Sequence, residues 1–183
     1  MTSRICAALL TLSLSLPAAA QDVVDSTVSD LNGDGLRERF TLLDYGTGTV
    51  DLIIEDAGPE RITAAGIAWM GGIGQEAELD LAVNGSVRLM SMNESIGRNR
   101  WHLTLTIAYR GGAYMIAGYT YSHYDTLNLD DAGTCDLNLL NGNGFLTVGT
   151  GPKQAIRHDV AQVPVTEWKE TAPIPEVCRT WER

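Results

Sequence analysis

Basic side chains are scarce in this chain, and so are the residues of familiar catalytic motifs. Lys and Arg together number 13 against 23 Asp and Glu, for a formal net charge of −10. An acidic balance of that size repels polyphosphate and excludes nucleic acid and anionic lipid as natural partners, though it suits cations. Histidine and cysteine occur three times each and phenylalanine twice. His-Glu-x-x-His, Gly-x-Ser-x-Gly and a phosphate-binding loop are all lacking, so zincin, α/β-hydrolase and nucleotide chemistry have no basis here. At 44% hydrophobic and 20% charged, the composition still supports a packed core.

Long apolar runs are lacking too. The longest, Ile5 to Leu16, is too short to span a bilayer. It follows Arg4 and precedes Pro17-Ala18-Ala19-Ala20, the layout of a secretory signal peptide ending in small residues. Residues 1–20 are therefore expected to be a signal, and residues 21–183 a single β-rich domain in the periplasm or outside a bacterial cell. Cleavage after Ala20 would leave 183 − 20 = 163 residues with charge 12 − 23 = −11. No membrane insertion is expected after cleavage.

Cysteine use agrees with export. With Cys6 assigned to the signal, Cys135 and Cys178 form an even pair for an oxidising compartment. Their bridge would close a long loop, worth roughly 4 kcal/mol on the chain-entropy model. Two buried free thiols are the alternative.

Period-two alternation dominates the chain after residue 20. Arg37 to Asp44, Thr49 to Glu55, Glu78 to Val83, Ser86 to Met92, Trp101 to Tyr109 and Ala113 to Tyr121 read as strands. Leu137 to Leu140 and Phe145 to Val148 are shorter candidates. Asn84-Gly85 and Gly111-Gly112 mark hairpin turns. Helical pattern is confined to single turns at Val165 to Glu170 and Glu176 to Trp181, framed by prolines. Ala64 to Gly74, rich in Gly and Ala, has no clear period. The expected fold is mainly β: a single-domain antiparallel meander, as a sandwich or strongly curved sheet, with short helical turns near the C-terminus and a tail pinned by Cys178.

One segment carries chemistry on its face: Asp30-Leu31-Asn32-Gly33-Asp34-Gly35-Leu36-Arg37-Glu38. Oxygen-bearing side chains fall at loop positions 1, 3, 5 and 9, with Gly35 for the sharp turn and Leu36 offering its carbonyl. Alternate hard oxygens aimed at one centre suit Ca2+, which accepts loose geometry and six to eight ligands. Asp30, Asn32, Asp34, Leu36 and Glu38 are the candidate ligands. The alternative is a metal-free Asp/Asn/Gly turn. Thr41 stands where an EF-hand has its bidentate Glu, and Arg39-Phe40-Thr41-Leu42-Leu43 continues as a strand.

A D-x-[DN]-x-D-G turn running into a β-strand resembles the calcium loops of FG-GAP and VCBS-type repeats. The single loop, the Asn84-Gly85 hairpin, the long segment from Arg100 to Asp125 and the stretch from Cys135 to Gly144 follow in an order similar to small exported bacterial proteins of FG-GAP- or VCBS-like type. That resemblance implies a β fold and calcium, and no activity. A single copy of the loop, with no internal repeat, argues against a propeller.

Tyrosines concentrate between Tyr109 and Tyr124. Alternation places Tyr119, Tyr121 and His123 on one side of their strand, where exposure would make a recognition surface and burial would make core. His123 beside Asp125 is the least poor acid–base candidate. The expectation is a non-catalytic calcium-binding protein that recognises a protein or an envelope glycan through the Tyr-rich hairpin. A secreted hydrolase using His123 or acidic residues, and a purely structural envelope protein, are the alternatives.

Overall fold

The structure, a computed structural model, describes residues 21–56, 58–159 and 162–179. The expected signal peptide and Thr180 to Arg183 lie outside the described residues.

Among the described residues, four strands form a first antiparallel sheet in chain order: β1 (Asp22–Ser29), β2 (Glu38–Asp44), β3 (Thr49–Glu55) and β4 (Arg61–Trp69). The second sheet runs through β5 (Glu78–Leu81), β6 (Val87–Asn93), β7 (Asn99–Arg110), β8 (Ala113–Asp125), β9 (Ala132–Asn138), β10 (Asn143–Val148) and β11 (Gln154–Arg157), again as a meander. β12 (Val163–Pro164) pairs with β8 at Met115 and Ile116, beyond the end of β9. The expected mainly β, antiparallel architecture is what forms, as two sheets without a closed barrel. A 3-10 turn at Glu176–Cys178 is the expected helical turn near the C-terminus.

The core follows from the alternation. Phe40, Leu42, Leu52, Ile54 and Ile67 of the first sheet meet Leu89, Leu105, Ile107, Ile116 and Leu137 of the second, each essentially without exposure. Burying each such side chain stabilises by about 1.5–3 kcal/mol. Along one side, β1 and β5 approach through side chains: Leu79 N donates to Asp25 Oδ2 at 2.7 Å and Ser29 Oγ to Gly85 O at 2.7 Å. These bonds blunt two edges without a ladder. Along the other side the C-terminal tail stitches the sheets together. Val165 N bonds Tyr114 O in β8, and Glu170 N bonds Gly66 O in β4. Cys178 is disulfide-linked to Cys135 in β9, with Cα atoms 5.3 Å apart.

Bulges in β8 and β4, besides a one-residue register shift at Val24 in β1, change what strict alternation predicts. In β8, Gly118 pairs with Thr106 while Ile116 pairs with Ile107, so Ala117 is extra. That one residue puts Tyr114 and Ile116 on the same face as Tyr119, Tyr121 and His123. In β4, Ala65 to Ile67 stand opposite Asp51 alone, and Asp51 Oδ1 accepts from Gly66 N at 2.7 Å. This is why Ala64 to Gly74 shows no period: β4 is a strand interrupted by a wide bulge. Gly111 and Gly112 both take positive φ, the two-residue turn that joins β7 to β8.

Candidate functional site

The acidic loop sits at one end of the molecule, between β1 and β2. Its side chains fold back onto their own backbone. Asp30 accepts from Gly33 N at 2.9 Å and Gly35 N at 3.1 Å; Asn32 Oδ1 accepts from Asp34 N at 2.8 Å; Asp34 Oδ1 accepts from Leu36 N at 2.7 Å. Asn32 Nδ2 lies 3.3 Å from both Asp34 Oδ2 and Asp56 Oδ2, bringing a further carboxylate to the loop from the β3–β4 connection. No ion pair among the described residues reaches Asp30 or Asp34.

Glu38 differs from the other candidate ligands. It is fully buried, and its carboxylate accepts from Leu31 N at 2.8 Å, Asn32 N at 3.0 Å and the Tyr114 hydroxyl at 2.8 Å. Three of roughly four acceptor directions are thus engaged. Burying a carboxylate costs several kcal/mol, and hydrogen bonds to charge return about 1.5–3 kcal/mol each. Glu38 fastens the loop to the second sheet. Tyr114, in turn, has its pKa raised first by burial and then by Glu38. The donor set of Asp30, Asn32, Asp34 and the exposed Leu36 turn is hard oxygen throughout, the kind calcium accepts. No group of three or more Asp, Glu, His or Cys positioned around one metal point occurs among the described residues.

The opposite end gathers three loops. The β4–β5 loop is tied to the β6–β7 loop, since Gln75 bonds Ser95 Oγ and accepts from Glu94 N. The β6–β7 loop is tied to the β8–β9 loop by Thr126 N donating to Arg98 O at 3.0 Å. β7 and β8 begin and end here, and Trp69 at the end of β4 packs edge-on against Trp101. Between them lies a cleft of about 510 Å³ lined by Arg98, Arg100, Trp101, Tyr121, His123 and Asp131, together with Asn99, Tyr124 and Asp125. Ile73, Ile96, Leu127 and Leu129 project from these loops at 102%, 61%, 79% and 73% exposure.

Tyr119, Tyr121 and His123 separate here. Their rings stack in series along β8, with centroids 6.3 and 6.2 Å apart. Tyr119 is 3% exposed and packs against Trp168 of the tail, so it belongs to the core and not to a recognition surface. The tail covers it, which alternation along β8 cannot reveal. Tyr121 and His123 are half-buried and reach the cleft, where Trp101 lies nearly parallel to Tyr121. Burial pushes the Tyr121 hydroxyl up to about 12.

The partner of His123 is Asp131, with Nε2 3.7 Å from Oδ1; it is not Asp125. Burial lowers the His123 pKa below its ordinary 6.5, and Asp131 opposes that shift. Asp125 is held elsewhere. Its Oδ2 accepts from Arg98 Nε at 2.6 Å, and its Oδ1 accepts from Leu127 N and Asn128 N, which shapes the β8–β9 loop. The Arg98 guanidinium holds the Asp125 carboxyl below its usual range.

Beside the cleft, Glu94 accepts the Tyr124 hydroxyl at 2.6 Å and lies 2.5 Å from His102 Nε2. The Tyr124 hydrogen bond is the main reason its carboxyl titrates below 4.5. Arg100, cross-strand partner of Tyr124, has a buried Nη1 without a hydrogen-bond acceptor among the described residues. Sequence reasoning does not single out Arg98, Arg100 or Asp131. The available signal is a pair of arginines flanking Asn99 immediately before an aromatic at the start of a long alternating strand. No family model, curated protein or solved structure matches the chain.

Proposed function

We propose that the protein is an exported, non-catalytic binding protein, with its recognition site in the cleft between the β6–β7 and β8–β9 loops. The observation that carries this reading is the composition of that cleft: Trp101, Tyr121 and His123 lie among Arg98, Arg100, Asp125 and Asp131. Apolar ring faces with a few convergent polar groups are how small-ligand sites fix and orient what they bind. Its volume falls within the usual range for such sites. The ligand is a glycan or a protein surface of the bacterial envelope.

At the opposite end, calcium is proposed to be held by Asp30, Asn32, Asp34 and the Leu36 carbonyl, with Glu38 anchoring the loop behind it. Support comes from the lack, among the described residues, of any cation paired with Asp30 or Asp34, and from the resemblance to FG-GAP and VCBS-type loops. The ion's role is to stiffen the β1–β2 connection. A hydrolytic alternative draws on one observation, His123 beside Asp131 in the cleft.

The test is retention of fractionated envelope material on immobilised protein in calcium buffer. Material held by the wild type and released by Trp101→Ala, with an unchanged circular dichroism spectrum, is the expected result. No retained material from any fraction would defeat the binding role, and chemical cleavage of what is retained would favour the hydrolase.

A further inference from the structure

We propose that the outer face of the second sheet carries a site for a soft monovalent metal ion, Cu+ or its analogue Ag+, built from the thioethers of Met90 and Met92 and the imidazole of His102. The site is separate from the aromatic cleft. Strand alternation sends Trp101, Tyr121 and His123 to the inner face of the sheet, and Met90, Met92 and His102 to the other.

The register brings the three ligands together. Met90 and Met92 are two positions apart on β6, so their side chains leave the same side of the strand. On β7, His102 stands directly opposite Met92, and Thr104 opposite Met90. Opposed Cβ atoms lie about 4.5–5.5 Å apart and diagonal neighbours about 7–8 Å, within reach of an unbranched, three-torsion thioether chain. The three side chains line one cavity of about 230 Å³, together with Glu76 and Glu78. None of the three is fully buried, so an ion can reach them from solvent.

His102 is held for ligation through one ring nitrogen. Its Nε2 lies 2.5 Å from Glu94 Oε1, and Glu94 is fixed in turn by the Tyr124 hydroxyl at 2.6 Å. A carboxylate behind one ring nitrogen keeps the proton there and leaves the other nitrogen, Nδ1, with its lone pair for a metal. The neighbouring guanidinium groups are engaged by carboxylates: Arg88 pairs with Asp80, and Arg100 lies in Coulombic range of Glu94.

Ligand chemistry selects the ion. Thioether sulfur is soft and favours Cu+ over Ca2+ or Mg2+, while imidazole suits copper equally. A structural Zn2+ site is built from four His, Cys or carboxylate ligands. No group of even three such residues around one point occurs among the described residues. A thioether also forms no disulfide, so it stays a ligand in an oxidising compartment where Cys135 and Cys178 are bridged. Glu76, Glu78 and the net charge of −10 add attraction for any cation.

The experiment is titration of the full chain with silver nitrate in chloride-free buffer, followed by the ε-methyl NMR signals of the methionines. Cys6→Ser removes the thiol that lies outside the Cys135–Cys178 bridge and would compete for Ag+. One equivalent of Ag+ is expected to shift the Met90 and Met92 methyls and to leave those of Met70 and Met115 in place. Cu+ kept reduced by ascorbate under nitrogen should give the same pattern, and Zn2+ at equal concentration should not. Met92→Leu, which conserves volume, and His102→Gln should each weaken Ag+ binding by roughly tenfold or more. Unmoved Met90 and Met92 methyls, equal affinity in Met92→Leu, or tighter binding of Zn2+ than of Ag+ would each overturn the inference. The first of these is read on a chain with both methionines and His102 intact, so it holds whether or not a variant folds.

Discussion

The hydroxyl of Tyr114 donates to Oε1 of Glu38 across 2.8 Å of protein interior, joining residues 76 positions apart in two different sheets. This bond fixes the acidic loop to the turn between β7 and β8, and it makes Glu38 the most consequential carboxylate of that loop for stability.

Replacing Glu38 by Gln should therefore destabilise the fold by about 2–3 kcal/mol, because an amide nitrogen would face a backbone N–H donor. Tyr114→Phe should cost about 1.5 kcal/mol. Urea unfolding of both single variants and the double variant measures the coupling. A sum of single effects equal to the double would show that the pair does not interact.

Calcium, if held by Asp30, Asn32 and Asp34, must stabilise the folded chain by mass action. At a hundredfold excess over its dissociation constant the gain is about 2.7 kcal/mol. Thermal melts with millimolar calcium and with chelator should differ for the wild type and coincide for Asp34→Ala. Coincident wild-type melts would remove calcium from the account.

The β4 bulge makes its own prediction. Gly66 sits at φ +60°, and a methyl group added at its Cα would meet only Thr49 Oγ1, at an ordinary 3.6 Å. Gly66→Ala should therefore cost only the left-handed backbone penalty, about 1–2 kcal/mol, with the tail still docked through Glu170. A loss much above that, measured by urea unfolding, would mean the bulge cannot absorb a side chain.

The disulfide links positions 43 apart and should contribute roughly 4 kcal/mol by constraining the unfolded chain. Thiol titration of the denatured, unreduced protein without its first twenty residues should find no free thiol. Cys135→Ser with Cys178→Ser should lower the midpoint of urea unfolding, and an unchanged midpoint would contradict this.

Acid lability should begin near neutrality. Burial keeps His123 neutral in the folded state, so the unfolded chain takes up that proton first as pH falls from 6.5. The stabilisation is full above 6.5 and is lost progressively below it. Asp125 and Glu94, whose folded pKa values are depressed from 3.8 and 4.5, add losses only in more acidic solution. His123→Gln should flatten the pH dependence of unfolding free energy just below 6.5. Parallel curves for variant and wild type would contradict the assignment.

How far the sequence can be read depends on the range of the interactions involved. Alternation at Thr49–Glu55 and the long run into Arg110 are legible because a strand's side-chain period is a local property. β1 is not, since Asp22 to Ser29 is polar at both ends and is held as an edge by β2 and by Leu79. The nine residues of the acidic loop are legible because their oxygens are spaced along one turn. Glu38 is legible as an oxygen donor, but its burial against Tyr114 is not.

The sequence by itself determined the antiparallel class, the paired cysteines and the local geometry of the acidic turn. Each of these follows from residues a few positions apart, or from cysteine number. Tertiary structure decided the rest. The extra Ala117 in β8 aligned Tyr114 with Tyr119, the tail's Trp168 covered Tyr119, and loop docking brought Arg98 and Asp131 beside Tyr121 and His123. A one-residue bulge reverses every side chain beyond it, and which ring is covered depends on chain arriving from about fifty residues away.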